Sequence, residues 1–415
     1  MTRIEELALY HLPVETADFA NDPDPWLARA RAQHPWLATS AIGPVLTSYR
    51  AIDEIMRMDD ALEMPGREIV DIMGARGTGW GDFAQEMMLV RHGADHQRLR
   101  SSVSAAFGPG NVKRMRPVMV ATISALLDEW APKGRFDFTE FAANFPVRVM
   151  FALIGGDVAR LPAIISSLEV QGTSFNMIVE DMPRIEAAYQ VLWRFVDDLI
   201  AERGPDAGRG DLLDDLIAAQ TRGDLTAKEL RQMLVFLFGA GYDTSKNLLT
   251  LLMDSMIAHP AIWQRCAQDR EYCRKVVREQ LRLTSPSNTY RVTTRDLTWE
   301  GVTIPAGTML LFPLGISGRD PELFSRPLAF DPDRADRTAP LAFGRGMHIC
   351  LGQFLAQANV EEATHLIARR LTNPRHDAPP TWRSFCGVWG IKSLPIAFDP
   401  APSPAPDRAL EPAGR

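Results

Sequence analysis

The stretch Phe343-Gly344-Arg345-Gly346-Met347-His348-Ile349-Cys350-Leu351-Gly352 decides the reading of this chain: it ends in a single cysteine and runs straight into a helical pattern, Leu351 to Leu371. Three glycines and an aromatic residue around one thiol describe a tight loop that presents sulfur at a helix start. The helix dipole and unpaired N–H groups at such a start favour the thiolate. A thiolate held in a narrow loop suits a haem iron as axial ligand, where electron donation from sulfur favours O–O cleavage. A lone cysteine in a Gly-rich turn is otherwise a common buried structural residue. A dinucleotide fingerprint is excluded, since Gly344 and Gly346 would need a third glycine where Ile349 stands.

The stretch resembles the F-G-x-G-x-H-x-C-x-G signature of the cytochrome P450 family at all six fixed positions. The resemblance runs over about residues 20–398 with four motifs in order. It implies a mainly α fold with small β-sheet regions, as one domain over residues 1–400, ahead of a Pro/Ala-rich disordered tail, 401–415. It also implies haem b bound through Cys350, with Phe343 and Gly352 beside it. His348 is then a partner of a haem propionate rather than an iron ligand. Zinc is the rival for any His-Cys pair, but no second pair lies at finger spacing.

Composition agrees with a large-cored protein: 415 residues, 46% hydrophobic and 23% charged. A net charge of -7 argues against nucleic acid as a partner. The four cysteines, Cys266, Cys273, Cys350 and Cys386, form no C-x-x-C pair and read as reduced thiols. The charged start Met1-Thr2-Arg3-Ile4-Glu5-Glu6 is no secretory signal, and no apolar run approaches the roughly 18 residues of a membrane span. A cytoplasmic monomer without a membrane anchor is expected.

His96 and Arg100, four apart, share one helix face and suit an anionic ligand, although a solvated basic face gives the same spacing. In the family resemblance this H-x-R-x-R piece binds haem propionates, with Gly93-Ala94-Asp95 where a proline-containing turn is more usual. Arg291, on a strand start after Pro286, matches the position of a third propionate partner, and an Arg fork pairs well with a carboxylate.

Thr226-Ala227-Lys228-Glu229 is a capping box, and the pattern behind it runs without proline to His259, a helix of roughly 50 Å. Two glycines in its middle, Gly239 and Gly241, each cost about 1 kcal/mol relative to alanine and ask for a reason. Ala240-Gly241-Tyr242-Asp243-Thr244 resembles the family's [A/G]-G-x-[D/E]-T motif, which faces the haem opposite the thiolate. By that resemblance Ala240 and Gly241 leave room for dioxygen. Thr244 bonds back to a carbonyl or holds a proton donor, and Asp243 relays protons, two of which O–O cleavage requires.

Glu279 and Arg282 form an E-x-x-R pair that the resemblance joins to Arg334 as a buried scaffold. Residues 297–304 and 308–312 alternate like hairpin strands. The Gly- and Met-rich residues 64–90 read as an irregular loop, functional or disordered, and the resemblance places a substrate-lining segment there; Phe175, Met177 and Ile178 suit a pocket cap or the core equally. The turn Phe385 to Gly390 matches a pocket-lining turn of the family. Arg98, Lys113, Arg114, Arg116, Arg345, Arg369 and Arg370 read either as a basic patch that steers an acidic electron donor or as ordinary solvated cations. Without a flavin or ferredoxin pattern in the chain, electrons are expected from a separate ferredoxin and its NAD(P)H reductase. The implied activity is a monooxygenase acting with dioxygen on a small apolar substrate, terpenoid-like or aromatic. A peroxide-driven peroxygenase and a non-catalytic haem sensor are the alternatives.

Overall fold

Thr226 and Glu229 cap one another, Glu229 N donating to Thr226 Oγ1 at 3.1 Å and Thr226 N to Glu229 Oε2 at 2.8 Å, and a 31-residue helix follows, Ala227–Ile257. At 1.5 Å per residue it is roughly 46 Å long. The computed structural model describes residues 2–204, 208–336 and 338–400. The tail expected from residue 401, and part of the polar turn at 204–210, lie outside them.

The long helix is buried through most of its length and packs on helix Phe138–Ile154. Asp137 starts that second helix, its Oδ1 accepting from Thr139 N at 2.9 Å. Pro260, whose missing N–H costs nothing at a first helical turn, opens the next helix, Pro260–Gln268. The helix after the cysteine, Gln353–Arg370, lies against Pro109–Trp130 and Arg270–Leu283. Together these helices enclose the largest apolar core, which includes Phe141, Phe145, Phe151, Phe238 and Leu252.

A five-stranded sheet closes one side in the order Leu37–Thr39, Pro44–Leu46, Met309–Phe312, Thr289–Thr293, Leu62–Glu63. Here two expectations are corrected. Met309–Phe312 pairs with Thr289–Thr293, Tyr290 opposite Leu311, and not with the preceding strands. Those strands, Leu297–Trp299 and Val302–Ile304, pair with each other across Glu300-Gly301, both at positive φ (44° and 78°), as a two-residue hairpin turn requires. Residues 64–90 are not an irregular loop either. They form helices Gly66–Ile72 and Gly79–Glu86 and a short 3-10 turn, Met88–Val90. Thr78 caps the second helix by accepting from Gly81 N at 3.0 Å, and a Cβ on Gly81 would lie 2.1 Å from Ala75 O. Glycine there serves close packing of backbones.

Beneath the cysteine side, Glu279 takes Arg282 at 2.8 Å and Arg334 at 3.1 Å, all three buried. Arg282 spends its other N–H groups on the carbonyls of Gly318, Pro327 and Ala329, so no charge in this scaffold lacks a partner. No helix among the described residues is long and apolar enough to cross a membrane.

Candidate active site

The cysteine loop is fixed from within. Cys350 N donates to Phe343 O at 2.8 Å, Ile349 N to Gly346 O at 3.2 Å, and Gly344 N to Leu341 O at 2.8 Å. Gly344 and Gly346 both take φ +70, and a Cβ on Gly346 would lie 2.5 Å from Asp59 Oδ1 and 2.8 Å from Met56 O. Asp59 binds the loop from outside, accepting from Met347 N at 3.0 and 2.9 Å. The sulfur faces Gly352, whose added Cβ would meet it at 4.0 Å. In one respect the sequence expectation is corrected: burial pushes the Cys350 thiol pKa up, and the Gly352 N–H and Arg100 oppose this only in part. The loop alone does not make a thiolate; a metal cation bound to sulfur does.

Beside the loop, cations and imidazoles converge with Asp59 as a nearby carboxylate that pairs with the loop backbone and not with them. Arg291 is buried and its hydrogen bonds go to neutral groups, Thr289 Oγ1 and Tyr290 O, both at 2.7 Å. Burial pushes its pKa down to about 10, with Asp59 opposing. Arg100 donates to Ile349 O at 2.7 Å. His348 lies 4.5 Å from His96, the rings tilted by 60°, and edge-on at 5.3 Å from His92, and neither of its ring nitrogens has a hydrogen-bond partner. Burial first, then Arg291 and the other two histidines, push His348 down to about 3. Such a cluster is costly until an anion occupies it.

Across a cavity of about 370 Å³ stands the long helix, presenting Gly239, Ala240, Gly241, Asp243 and Thr244. Thr244 Oγ1 donates to Ala240 O at 2.9 Å, the back-bonding expected of it. The two glycines differ. A Cβ on Gly239 would meet nothing within 4 Å, whereas on Gly241 it would lie 2.7 Å from Met150 Cγ, so Gly241 lets two helices approach. Asp243 is buried and accepts at Oδ1 from Arg383 at 2.6 Å and Asn247 Nδ2 at 3.0 Å. Lys246 lies 3.5 Å from the same carboxylate and 2.5 Å from Glu169, which also accepts from Tyr242 OH at 2.7 Å.

The cytochrome P450 family model matches residues 77–380 of the chain. The luteothin monooxygenase of Streptomyces thioluteus is 32% identical over 388 residues, 91% of this chain and 93% of that protein. This chain belongs to the cytochrome P450 family. It is a P450 monooxygenase, and the cofactor of such an enzyme is haem b, reduced from NAD(P)H through redox partners. Among solved structures, CalO2 has the same fold with a TM-score of 0.86 at 24% identity, covering 94% of this chain and 100% of that one. The tirandamycin C-bound P450 monooxygenase TamI gives 0.82 at 25% identity, covering 94% and 100%.

The residues of this P450 fit haem b. An apolar cavity has a thiol on one wall and small residues on the other, and the unpaired ring nitrogens of His348, with Arg100 and Arg291 donating only to neutral groups, suit two carboxylates. His96, Arg100, Ala240, Gly241, Asp243, Thr244, Arg291, Phe343, His348, Cys350 and Gly352 all line that one cavity. The basic patch is corrected. Arg98 pairs with Glu229 at 2.5 Å, Arg345 with Asp53 at 2.7 Å and Arg370 with Asp128 at 2.8 Å, while Arg116 joins Glu361 and Glu362. Acids from other elements neutralise four of the seven cations, which a one-dimensional list of arginines does not reveal. Sequence reading also missed Arg383, Lys246, Glu169 and His92. Only His92, four residues before His96, carried a signal in its spacing.

Proposed function

We propose that this P450 hydroxylates an apolar small molecule, terpenoid-like or aromatic, with one atom of dioxygen, and that a ferredoxin and its NAD(P)H-dependent reductase supply the electrons. It acts as a monomer in the cytoplasm. The observation that carries this reading is a single apolar cavity with the Cys350 thiol on one wall and the Asp243-Thr244 pair on the other. Trp80, Phe83, Met87, Met88 and Phe175 add broad aromatic and thioether surface to the walls, suited to a bulky apolar guest. By their names one relative is a luteothin monooxygenase and one structural neighbour binds tirandamycin C, which supports a small-molecule substrate.

Bound through Cys350, haem b supplies the activation of dioxygen. Arg100, Arg291, His96 and His348 would hold its two carboxylates, which would give the unpaired nitrogens of His348 and the two guanidiniums charge-assisted bonds. Insertion of one oxygen atom and release of the other as water consumes two electrons and two protons. Thr244 already donates to Ala240 O, and rotation about its Cα–Cβ bond re-aims that hydroxyl into the cavity. Asp243 stands next in the chain, its carboxylate held by Arg383 and Asn247, as the group that resupplies the proton. The apolar walls exclude bulk water that would otherwise release partly reduced oxygen.

Purified protein tests this reading. With carbon monoxide and reductant the parent gives the red-shifted band of thiolate ligation, and Cys350→Ser loses both that band and turnover. Thr244→Ala keeps the band but diverts most reducing equivalents to hydrogen peroxide, a several-fold fall in product per NAD(P)H. A serine variant with the parent's spectrum, or an alanine variant with unchanged coupling, refutes the corresponding role.

A further inference from the structure

His92 belongs to no motif, yet it lies in the cluster of unpaired donors. Its ring meets His348 edge-on at 5.3 Å and 85°, and His348 lies 4.5 Å from His96. Its Nε2 is shielded from solvent and has no hydrogen-bond partner, as is true of both ring nitrogens of His348. Three shielded imidazole nitrogens without partners, next to two arginines that donate only to neutral groups, are destabilising unless a ligand pairs them.

The backbone around His92 is consistent with a side chain committed inward. His92 occupies the N-cap position of helix Gly93–Phe107, its carbonyl accepting from His96 N at 3.3 Å, but its side chain makes no capping bond. Ser, Thr, Asn or Asp would cap there and stabilise the helix. Gly93 follows at φ +54, a conformation closed to proline, so the chain enters the helix through a turn that sets the direction of the preceding residue. The helix N-terminus adds partial positive charge on the same side.

We propose that His92 is a further cofactor-binding residue, its Nε2 donating to the haem carboxylate that His348 also binds. This rests on the site reading above, in which that edge of the cavity holds the carboxylates of haem b. Three imidazoles and two guanidiniums then share two carboxylates, and no ring nitrogen of His92 or His348 on the cofactor side stays unpaired.

The test uses ferric holoenzyme and reads haem retention, not activity. Transfer of haem to excess apomyoglobin is timed for the parent, His92→Phe, which keeps a ring and loses the donor, and His92→Gln, which keeps an N–H donor. Loss of one charge-assisted bond speeds release roughly tenfold in the Phe variant, and the Gln variant stays within about threefold of the parent. The propionate bending bands of the resonance Raman spectrum shift in the Phe variant, while the carbon monoxide band of thiolate ligation is unchanged in all three. Release from the Phe variant within twofold of the parent overturns the proposal. Equal acceleration in Phe and Gln variants with unshifted propionate bands assigns His92 to packing alone and overturns it too. A parent that lacks the thiolate band refutes the site reading itself, and so is distinguishable from either result.

Discussion

On the cysteine wall of the cavity the loop's shape is set by contacts within a few residues, Phe343 O to Cys350 N and Gly346 O to Ile349 N, and one distant side chain, Asp59, holds it from outside through Met347 N. On the opposite wall the decisive contact spans the chain. Asp243 is held by Arg383, 140 residues downstream, and a Cβ on Gly172 would lie 2.4 Å from its free oxygen Oδ2. The first wall is in its loop a local conformation that short-range sequence can specify, anchored from outside by Asp59. The second is a meeting of three distant segments, and only the completed fold brings it about.

The largest effect that separates the two plans is electrostatic. Removing Arg383 leaves a buried carboxylate with Lys246 at 3.5 Å as its remaining cation, and breaking one side of such a pair costs about 3–5 kcal/mol. Arg383→Met should lower the denaturant midpoint accordingly, and the double variant with Asp243→Asn should recover at least half of the loss in a double-mutant cycle. Independent, additive losses would mean that the two side chains do not stabilise one another.

Next in size is a backbone effect on the cysteine wall. Gly346→Ala sets a side chain at φ +70 and 2.8 Å from a main-chain oxygen, Met56 O, which cannot move aside as a flexible side chain can. A cost of about 2–3 kcal/mol is expected, with reduced haem incorporation. Gly352→Ala, with φ −83 and only the sulfur at 4.0 Å, should change stability by less than about 1 kcal/mol. Melting curves of the two apoproteins compare them directly.

This contrast also explains what could be read from the chain. The capping box at Thr226 and Glu229 was legible because it is a short pattern with one physical use, whereas the cysteine loop and the Glu279-Arg282 pair, each open to a second reading alone, were legible through the resemblance. The helices at Gly66–Ile72 and Gly79–Glu86 were not, since glycine signals loops and gives no sign that Gly81 is pressed against Ala75 O. The basic patch failed for a related reason: Arg98 and Arg345 look like free cations until Glu229 and Asp53 arrive from other elements. Arg383 carried no signal at all.

A smaller effect tests the comparison inside one helix. Gly239→Ala meets nothing within 4 Å and should stabilise the helix by about 0.5–1 kcal/mol, at the expense of open space over the cavity. Gly241→Ala drives a methyl into Met150 Cγ at 2.7 Å and should lose about 1 kcal/mol, some of it recovered when Met150 is shortened to Ala. Equal signs for the two variants, read from denaturant midpoints, would remove the distinction between a glycine kept for space and one kept for packing.

The smallest expected effect lies where local and long-range plans meet, at Glu229. The hydrogen bond from Arg98, and then the Thr226 N–H, hold its carboxyl down at about 2, below the usual 4.5, against a burial penalty. A depressed folded-state value means stability that is fully present above pH 4.5 and is lost as pH falls from there toward 2. Solvent screens the pair, so its share stays under about 1 kcal/mol. Arg98→Met should therefore flatten the fall in denaturant midpoint between pH 5 and pH 3, while Thr226→Ala, which leaves the Arg98 pair in place, should flatten it less. If the threonine variant flattens it more, the capping box and not the distant arginine governs this carboxylate, and the start of the long helix belongs with the locally specified half of the molecule.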